Sequence, residues 1–118
     1  MTDETLDRWF RKAVYAKKGT FCLWPDCNKA AQEIHHYVHR RYKVLKWDVE
    51  NGIPLCLEHH AKADRLEGRE VLRDVVDIEY LRQKDFYNLK EYLATRRMSR
   101  DEFRQNELEE LKSIVKRN

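Results

Sequence analysis

The stretch NGIPLCLEHH, residues 51–60, decides the fold because it combines a short apolar segment, a helix start, one cysteine and two histidines. An earlier histidine pair, His35-His36, and two further cysteines, Cys22 and Cys27, lie upstream of it. Cysteines concentrated near histidines indicate metal binding more often than disulfides when the compartment is reducing. The stretch therefore predicts a small fold that is stabilised by a metal ion.

Two ligand pairs, Cys22-x4-Cys27 and Cys56-x2-His59, suit a tetrahedral zinc ion. The Trp-Pro-Asp turn between the first two cysteines would bring their thiolates together. The assignment uses all three cysteines of the chain, so the odd count leaves no spare thiol. Four protein ligands leave no open position, and we therefore expect a structural zinc.

Two other interpretations of the cysteines stay open. One is that they are buried and bind no metal. The other is a zinc finger with the ligands Cys22, Cys27, His35 and His39. Its inner spacer is seven residues, whereas the DNA-reading finger needs about twelve. It also leaves Cys56, His59 and His60 without a role.

Helical periodicity predicts an amphipathic N-terminal helix with Thr2 or Asp3 as its cap and Gly19 near its end. Its apolar stripe is assigned to the core and comprises Leu6, Trp9, Phe10, Ala13 and Val14.

The segments 32–38 and 53–56 are predicted strands, joined through a loop over 40–50. A helix is predicted from residue 57 or 58 to about residue 66. Neighbouring side chains on a strand point to opposite sides. Both members of His35-His36 can therefore serve one site only where the first strand ends or twists.

The C-terminal part of the chain predicts further helices. Residues 71–76 favour a helix over a strand, and residues 85–97 carry apolar side chains at helical spacing. Ser99 with Glu102 predicts a capping box that opens the last helix. Both charge signs are dense here, so we predict a supporting or partner-docking role.

Composition and charge narrow the function. The 118 residues fit one domain, 38% of them are charged, and the net charge of +3 is mild. Residues 40–46 form a basic strip without an acid, which suits phosphate binding. No apolar run approaches the roughly 18 residues of a membrane span. The chain also lacks the apolar core of a secretory signal, so a cytoplasmic location is expected.

The order His35-His36, then Asn51, then His60 resembles the His-Asn-His signature of HNH endonucleases, the ββα-metal nucleases of phages, colicins and homing elements. The fifteen positions from His36 to Asn51 and the nine from Asn51 to His60 match spacings in that family. Residues 51–60 also resemble the family's zinc-knuckle segment, with His59 where cysteine is usual. The resemblance covers residues 22–64.

The resemblance implies a role for each matching residue. His36 would be the general base, and Asn51 would hold the loop that aims it. His35 and His60 would bind a catalytic divalent cation, with Mg²⁺, Mn²⁺, Ni²⁺ and Zn²⁺ as candidates. Asp64 lies one helical turn beyond His60, and it stays open whether it is a third ligand or a surface acid.

Together these features predict an α+β protein. Residues 1–67 would contain the N-terminal helix and a ββα-metal, treble-clef-like core with a zinc knuckle, and residues 68–118 would form a helical C-terminal extension. The expected substrate is DNA, with Arg40, Arg41 and Lys43 contacting its phosphates.

Size and resemblance suggest a phage or prophage nuclease in a bacterial host cell. The alternatives are a non-catalytic zinc-dependent nucleic-acid-binding module and a protein-interaction module that uses the C-terminal helices.

Overall fold

Helices surround a two-stranded sheet in the computed structural model, which describes residues 1–84 and 88–118. The elements are, in order, α1 (Asp3–Lys18), β1 (Glu33–His36), α2 (Lys43–Lys46), a 3-10 helix (Val49–Asn51), β2 (Gly52–Leu55), α3 (Leu57–Ala63), α4 (Leu66–Leu72), α5 (Ile78–Gln83), α6 (Leu89–Thr95) and α7 (Arg100–Arg117). The predicted α+β class is confirmed at this level of detail.

Helix α1 forms where the sequence predicts it. The Thr2 side chain accepts a hydrogen bond from the Thr5 amide and caps the first turn. Gly19 ends the helix with φ of 88°, a conformation that glycine adopts without steric cost. Phe10 is buried with most of the predicted stripe, and Trp9 is half-buried against the same core.

The two strands pair antiparallel and place the histidine pair at the end of β1. His35 lies opposite Ile53, and His36 lies opposite Gly52. β1 is shorter than the predicted segment because Asn51 belongs to the 3-10 helix. Tyr37 still donates to the Asn51 carbonyl, but the Asn51 amide donates to the Asp48 carbonyl and not back to Tyr37. The expectation that the pair lies at a strand end is confirmed.

The segment 40–50 is not the irregular loop that the sequence predicted. It contains α2 and the 3-10 helix, because Val44 and Leu45 turn inward and become buried. Trp47 is also buried, and its indole N–H donates to Asp7 of α1 at 2.8 Å. These tertiary contacts stabilise helices that are too short to form alone.

Helix α3 begins at the predicted residue but ends at Ala63, earlier than the predicted residue 66. The chain turns directly into α4, which confirms the helical prediction for residues 71–72. Residues 73–76 form turns after the end of α4, so the helical prediction is wrong for them. A Cβ atom at Gly68 would lie 2.1 Å from the Lys62 carbonyl oxygen, so only glycine allows this close approach of α3 and α4.

The C-terminal helices return to the N-terminal one. The predicted helix 85–97 is observed as α6, and the part over 85–87 lies outside the described residues. Ser99 and Glu102 form the predicted capping box at the start of α7. α7 shares an apolar cluster with α1 that includes Phe10, Phe103 and Leu111. A domain boundary at residue 67 stays a prediction.

Among the residues that the structure covers, no helix combines the length and apolar character that crossing a membrane requires.

A polar cavity of about 490 Å³ lies beside α7. The Tyr80 hydroxyl donates to Asp48 at 2.7 Å, and the ammonium of Lys84 lies 3.4 Å from the same carboxylate. Glu107 also lines this cavity, and burial raises its pKa to about 7, against the opposing effect of Lys84. The folded state therefore holds a proton on Glu107 at pH values where the unfolded chain has lost it.

The raised pKa of Glu107 predicts that the stability difference between Glu107→Gln and the parent protein grows with pH. The stability that the parent protein gains by holding this proton is fully present below the ordinary glutamate pKa and is lost as pH rises through about 7. Glu107→Gln should match the parent protein near pH 5 and exceed it by about 2 kcal/mol at pH 8. Urea unfolding at both pH values measures the difference, with Glu109→Gln on the exposed face of α7 as the control. Equal curves for the parent protein and Glu107→Gln at pH 8 would contradict it.

Candidate metal centre and active-site cleft

The four predicted zinc ligands come together in space. The candidate ligand atoms of Cys22, Cys27, Cys56 and His59 all lie within 4.8 Å of one another. Nδ1 of His59 lies 3.6 Å from the Cys22 sulfur and 3.4 Å from the Cys56 sulfur. We call these four residues the Cys₃His cluster.

Two distances in the Cys₃His cluster match those of a zinc site. Zinc–sulfur bonds of about 2.3 Å and zinc–nitrogen bonds of about 2.0 Å at tetrahedral angles place sulfur and nitrogen about 3.5 Å apart. The two observed sulfur–nitrogen distances fall on either side of that value. The cluster is therefore compatible with a structural zinc, and four protein ligands leave no position for a substrate.

Local structure brings the cluster together. The amide of Cys27 donates to the Trp24 carbonyl at 3.0 Å, which closes the turn between the first two cysteines, and Asp26 in that turn has φ of 65°. Cys56 is the N-cap of α3, so His59 follows within the first turn. The Trp24 ring stacks on the His59 ring, with centroids 4.6 Å apart and planes 3° from parallel.

The cluster thiols lie in different electrostatic surroundings. The backbone N–H of His59 hydrogen-bonds to Cys56 and lowers the pKa of that thiol. Burial raises the pKa of Cys22. A backbone N–H aimed at sulfur favours the thiolate, the form that binds metal.

The remaining histidines line one cleft of about 250 Å³. Its walls comprise Ile34, His35, His36, His39, Arg40, His60 and Asp64. β1 supplies the histidine pair and α3 supplies His60, so the ends of two neighbouring elements build the cleft. All the histidines outside the Cys₃His cluster therefore lie in a single place.

His35 has an unsatisfied nitrogen in this cleft. The residue is 4% exposed, and its Nε2 atom is buried without a hydrogen-bond partner among the described residues. The His60 ring lies 5.3 Å away between centroids, and a carboxylate oxygen of Asp64 lies 3.9 Å from Nε2. Burial lowers the pKa of His35 to about 4, so its imidazole is neutral and its lone pair is available at neutral pH.

Glu33 orients His60, and the sequence analysis did not identify it. A Glu33 carboxylate oxygen lies 2.7 Å from Nδ1 of His60, which leaves Nε2 of that ring for another partner. Metal-binding histidines commonly donate their second N–H to a carboxylate in this way. Glu33 lies two positions before His35, hence on the same face of β1, and that alternation was the available signal.

His36 is held by contacts from two other elements. Nε2 of His36 lies 2.9 Å from the Lys46 carbonyl, which can only accept, so this nitrogen carries the proton and Nδ1 keeps its lone pair. The ring stacks on Phe10 of α1 with centroids 4.9 Å apart. Burial lowers the pKa of His36, which favours the neutral form that a general base requires. A Cβ atom at Gly52 would lie 2.9 Å from the Phe10 ring, so this packing requires glycine there.

Asn51 is fully buried, and its side chain joins two segments of the chain, at Val38 and at Leu45. Its side-chain oxygen accepts from the Val38 amide at 2.7 Å. Its amide group donates to the carbonyls of Val38 at 2.9 Å and Leu45 at 3.2 Å. These bonds fix the segment that follows His36. The role of Asn51 in aiming His36 stays a prediction.

Asn51→Ala should destabilise the protein by about 2–4 kcal/mol, because the amide and carbonyl of Val38 and the Leu45 carbonyl would lose buried partners. Urea unfolding measures the loss. Asn106→Ala, which truncates an exposed asparagine on α7, is the control and should change stability by less than about 0.5 kcal/mol. Equal effects of the two variants would show that the Asn51 hydrogen bonds contribute little.

The predicted phosphate-binding residues lie in different places. Arg40 is exposed and lines the cleft. The guanidinium of Arg41 packs over the Tyr42 ring and donates to its hydroxyl at 3.1 Å. Lys43 begins α2 and lines a separate cavity of about 220 Å³. His39 is exposed at the cleft and accepts from the Arg41 amide.

The two candidate metal sites differ in how far they are assembled. Within residues 1–84 and 88–118, the Cys₃His cluster is the one group of three or more such side chains whose ligand atoms already converge. His35, His60 and Asp64 line a common cleft without that degree of convergence.

Comparison with known proteins adds no relationship, since no family model, curated protein or solved structure gives a significant match to this chain.

Proposed function

We propose that the protein is a metal-dependent endonuclease of the HNH type that hydrolyses DNA phosphodiester bonds. The observation that carries the proposal is the shared cleft of His35, His36 and His60. Its supporting details are the unsatisfied Nε2 of His35 and the carboxylate of Glu33 on His60. The Cys₃His cluster would hold a structural zinc and would take no part in the chemistry.

Each cleft residue has a role in this proposal. Nε2 of His35 and Nε2 of His60 would bind a divalent cation, with Asp64 as a candidate third ligand. When bound, such a cation supplies charge stabilisation at the scissile phosphate and the leaving 3′ oxygen. His36 takes a proton from the attacking water at Nδ1, because its Nε2 is fixed by the Lys46 carbonyl. Arg40 contacts a neighbouring phosphate.

The cellular context of the proposal comes from the resemblance alone. It places the enzyme in the cytoplasm of a bacterial host as a phage or prophage nuclease.

Incubation of the purified, zinc-loaded protein with supercoiled plasmid tests the proposal. Reactions would contain Mg²⁺, Mn²⁺, Ni²⁺ or Zn²⁺, or no added cation. We expect nicked or linear product with at least one added cation and none without. Intact plasmid under every condition would contradict the proposal.

A zinc-dependent nucleic-acid-binding module without catalysis is the second candidate. It is favoured by one observation, the incomplete convergence of His35, His60 and Asp64. Such a module would bind DNA and leave the plasmid intact, so His36→Ala would have no cleavage activity to remove.

A further inference from the structure

A second depression in the surface lies beside the cleft and is bounded by the helical extension. It is a groove of about 490 Å³ lined by Tyr37, Val38, Leu66, Arg69, Glu70, Arg73, Ile78, Leu81 and Arg82. We call it the α4–α5 groove. It lies outside the segment that resembles HNH nucleases, apart from Tyr37 and Val38 at its edge.

The cleft and the α4–α5 groove have neighbouring walls on two sides. On the β1 side, His36 lines the cleft and the next residue, Tyr37, lines the groove. On the helical side, Asp64 lines the cleft and Leu66 lines the groove, with Arg65 between them. Consecutive Cα atoms are about 3.8 Å apart, so the two walls pass from one depression to the other within one or two residues.

The groove is basic in a chain whose overall charge is nearly balanced. Its lining carries three guanidinium groups, from Arg69, Arg73 and Arg82, against the single carboxylate of Glu70. Arg73 is exposed and makes no hydrogen bond or ion pair with the described residues. Arg82 is exposed and lies 3.7 Å from the carboxylate of Glu79, a contact that is weak in water.

Arg69 ties the groove to the end of the histidine strand. Its guanidinium lies over the Tyr37 ring at 4.9 Å and donates to the Tyr37 carbonyl at 3.2 Å. The Tyr37 hydroxyl donates to the Arg69 carbonyl at 3.4 Å. These bonds fix α4 against the residue that follows His36, so the position of the groove is set relative to the cleft.

We propose that the α4–α5 groove binds the phosphate backbone of the nucleic-acid strand whose scissile phosphate lies in the cleft. Arg73 and Arg82 contact phosphates there, and the 78% exposed side chain of Leu66 lies at the rim beside sugar and base. The inference rests on the proposed function for the identity of the strand. It assigns the extension a part in substrate binding, and such contacts position the strand without reading its sequence.

Salt-dependent binding tests this role. The probe is a short fluorescein-labelled DNA duplex, and anisotropy is measured in His36→Ala protein so that the probe stays intact. Arg73→Gln with Arg82→Gln should weaken binding at low salt about tenfold or more. Loss of two phosphate contacts should also make the slope of log K against log salt shallower by about 1.8.

The matched control removes two charges elsewhere. Arg8 on α1 and Lys116 on α7 are exposed, and neither lines the cleft or the groove. Arg8→Gln with Lys116→Gln should leave the slope unchanged. Equal slopes for the groove variant and this control would overturn the inference.

A variant of opposite sign guards against a folding defect. Glu70→Gln removes the one acid of the groove and should tighten duplex binding, whereas Glu109→Gln on α7 should not. Weaker binding by Glu70→Gln would contradict the inference. Because these measurements need no cleavage, a groove effect in a protein that leaves plasmid intact would reject the nuclease proposal and retain the groove. Plasmid cleavage without any effect of the groove variants on duplex binding would support the nuclease proposal and reject the groove.

Discussion

His59→Ala is expected to remove the bound zinc and to unfold much of the chain near physiological temperature. His59 joins α3 to the thiols of Cys22 and Cys56, so its loss leaves a three-thiolate set without its nitrogen ligand. Structural zinc contributes about 10–16 kcal/mol of binding in small peptides, comparable to the total stability of about 5–15 kcal/mol of a typical domain. We expect the melting temperature to fall by more than about 10 °C.

Metal analysis and thermal unfolding measure this result together. The parent protein should carry one zinc per chain, and His59→Ala should carry little or none. His39→Ala is the control, because it removes an imidazole from an exposed position and leaves the Cys₃His cluster intact. Full zinc content in His59→Ala, or an equal loss in His39→Ala, would contradict the ligand assignment.

His36→Ala should lower the rate of plasmid cleavage by about 10²–10⁴-fold, the usual contribution of a general base. Duplex affinity should change by less than about twofold, because the ring is held inside the protein by Phe10 and the Lys46 carbonyl. Burial lowers the pKa of His36, so its imidazole stays neutral to a lower pH than an ordinary histidine does. The acid limb of the rate profile should therefore lie below the ordinary histidine pKa.

Rates for the parent protein, His36→Ala and His39→Ala at several pH values check this expectation. His39 lines the same cleft, so it controls for loss of a nearby imidazole. An unchanged rate in His36→Ala, or equal losses in the two variants, would remove His36 from the role of base.

The sequence predicted the features that depend on local spacing. Cys22 with Cys27, and Cys56 with His59, each lie within about one turn of chain, so their spacing alone indicates two ligand pairs. The cap at Thr2 and the capping box at Ser99 are likewise local and are observed.

The features that the sequence did not predict depend on distant contacts. Glu33 meets His60 only because β1 lies beside α3, and Phe10 meets His36 only because α1 crosses the strand end. The four-residue helix α2 has too few backbone hydrogen bonds to be stable alone, so its formation depends on burial of Val44 and Leu45. Strand alternation indicates that Glu33 shares a face with His35, but spacing along the chain contains no signal for its contact with His60 or for the contact of Phe10 with His36.

The proposed function requires two separate metal sites in one chain, one closed by thiolates and one built from histidines at the end of β1. Anomalous diffraction from crystals of the zinc-loaded protein soaked in Mn²⁺ would locate both. We expect a zinc peak among Cys22, Cys27, Cys56 and His59 and a manganese peak beside His35 and His60. Manganese absent from the histidine cleft, or zinc bound away from the thiols, would contradict it.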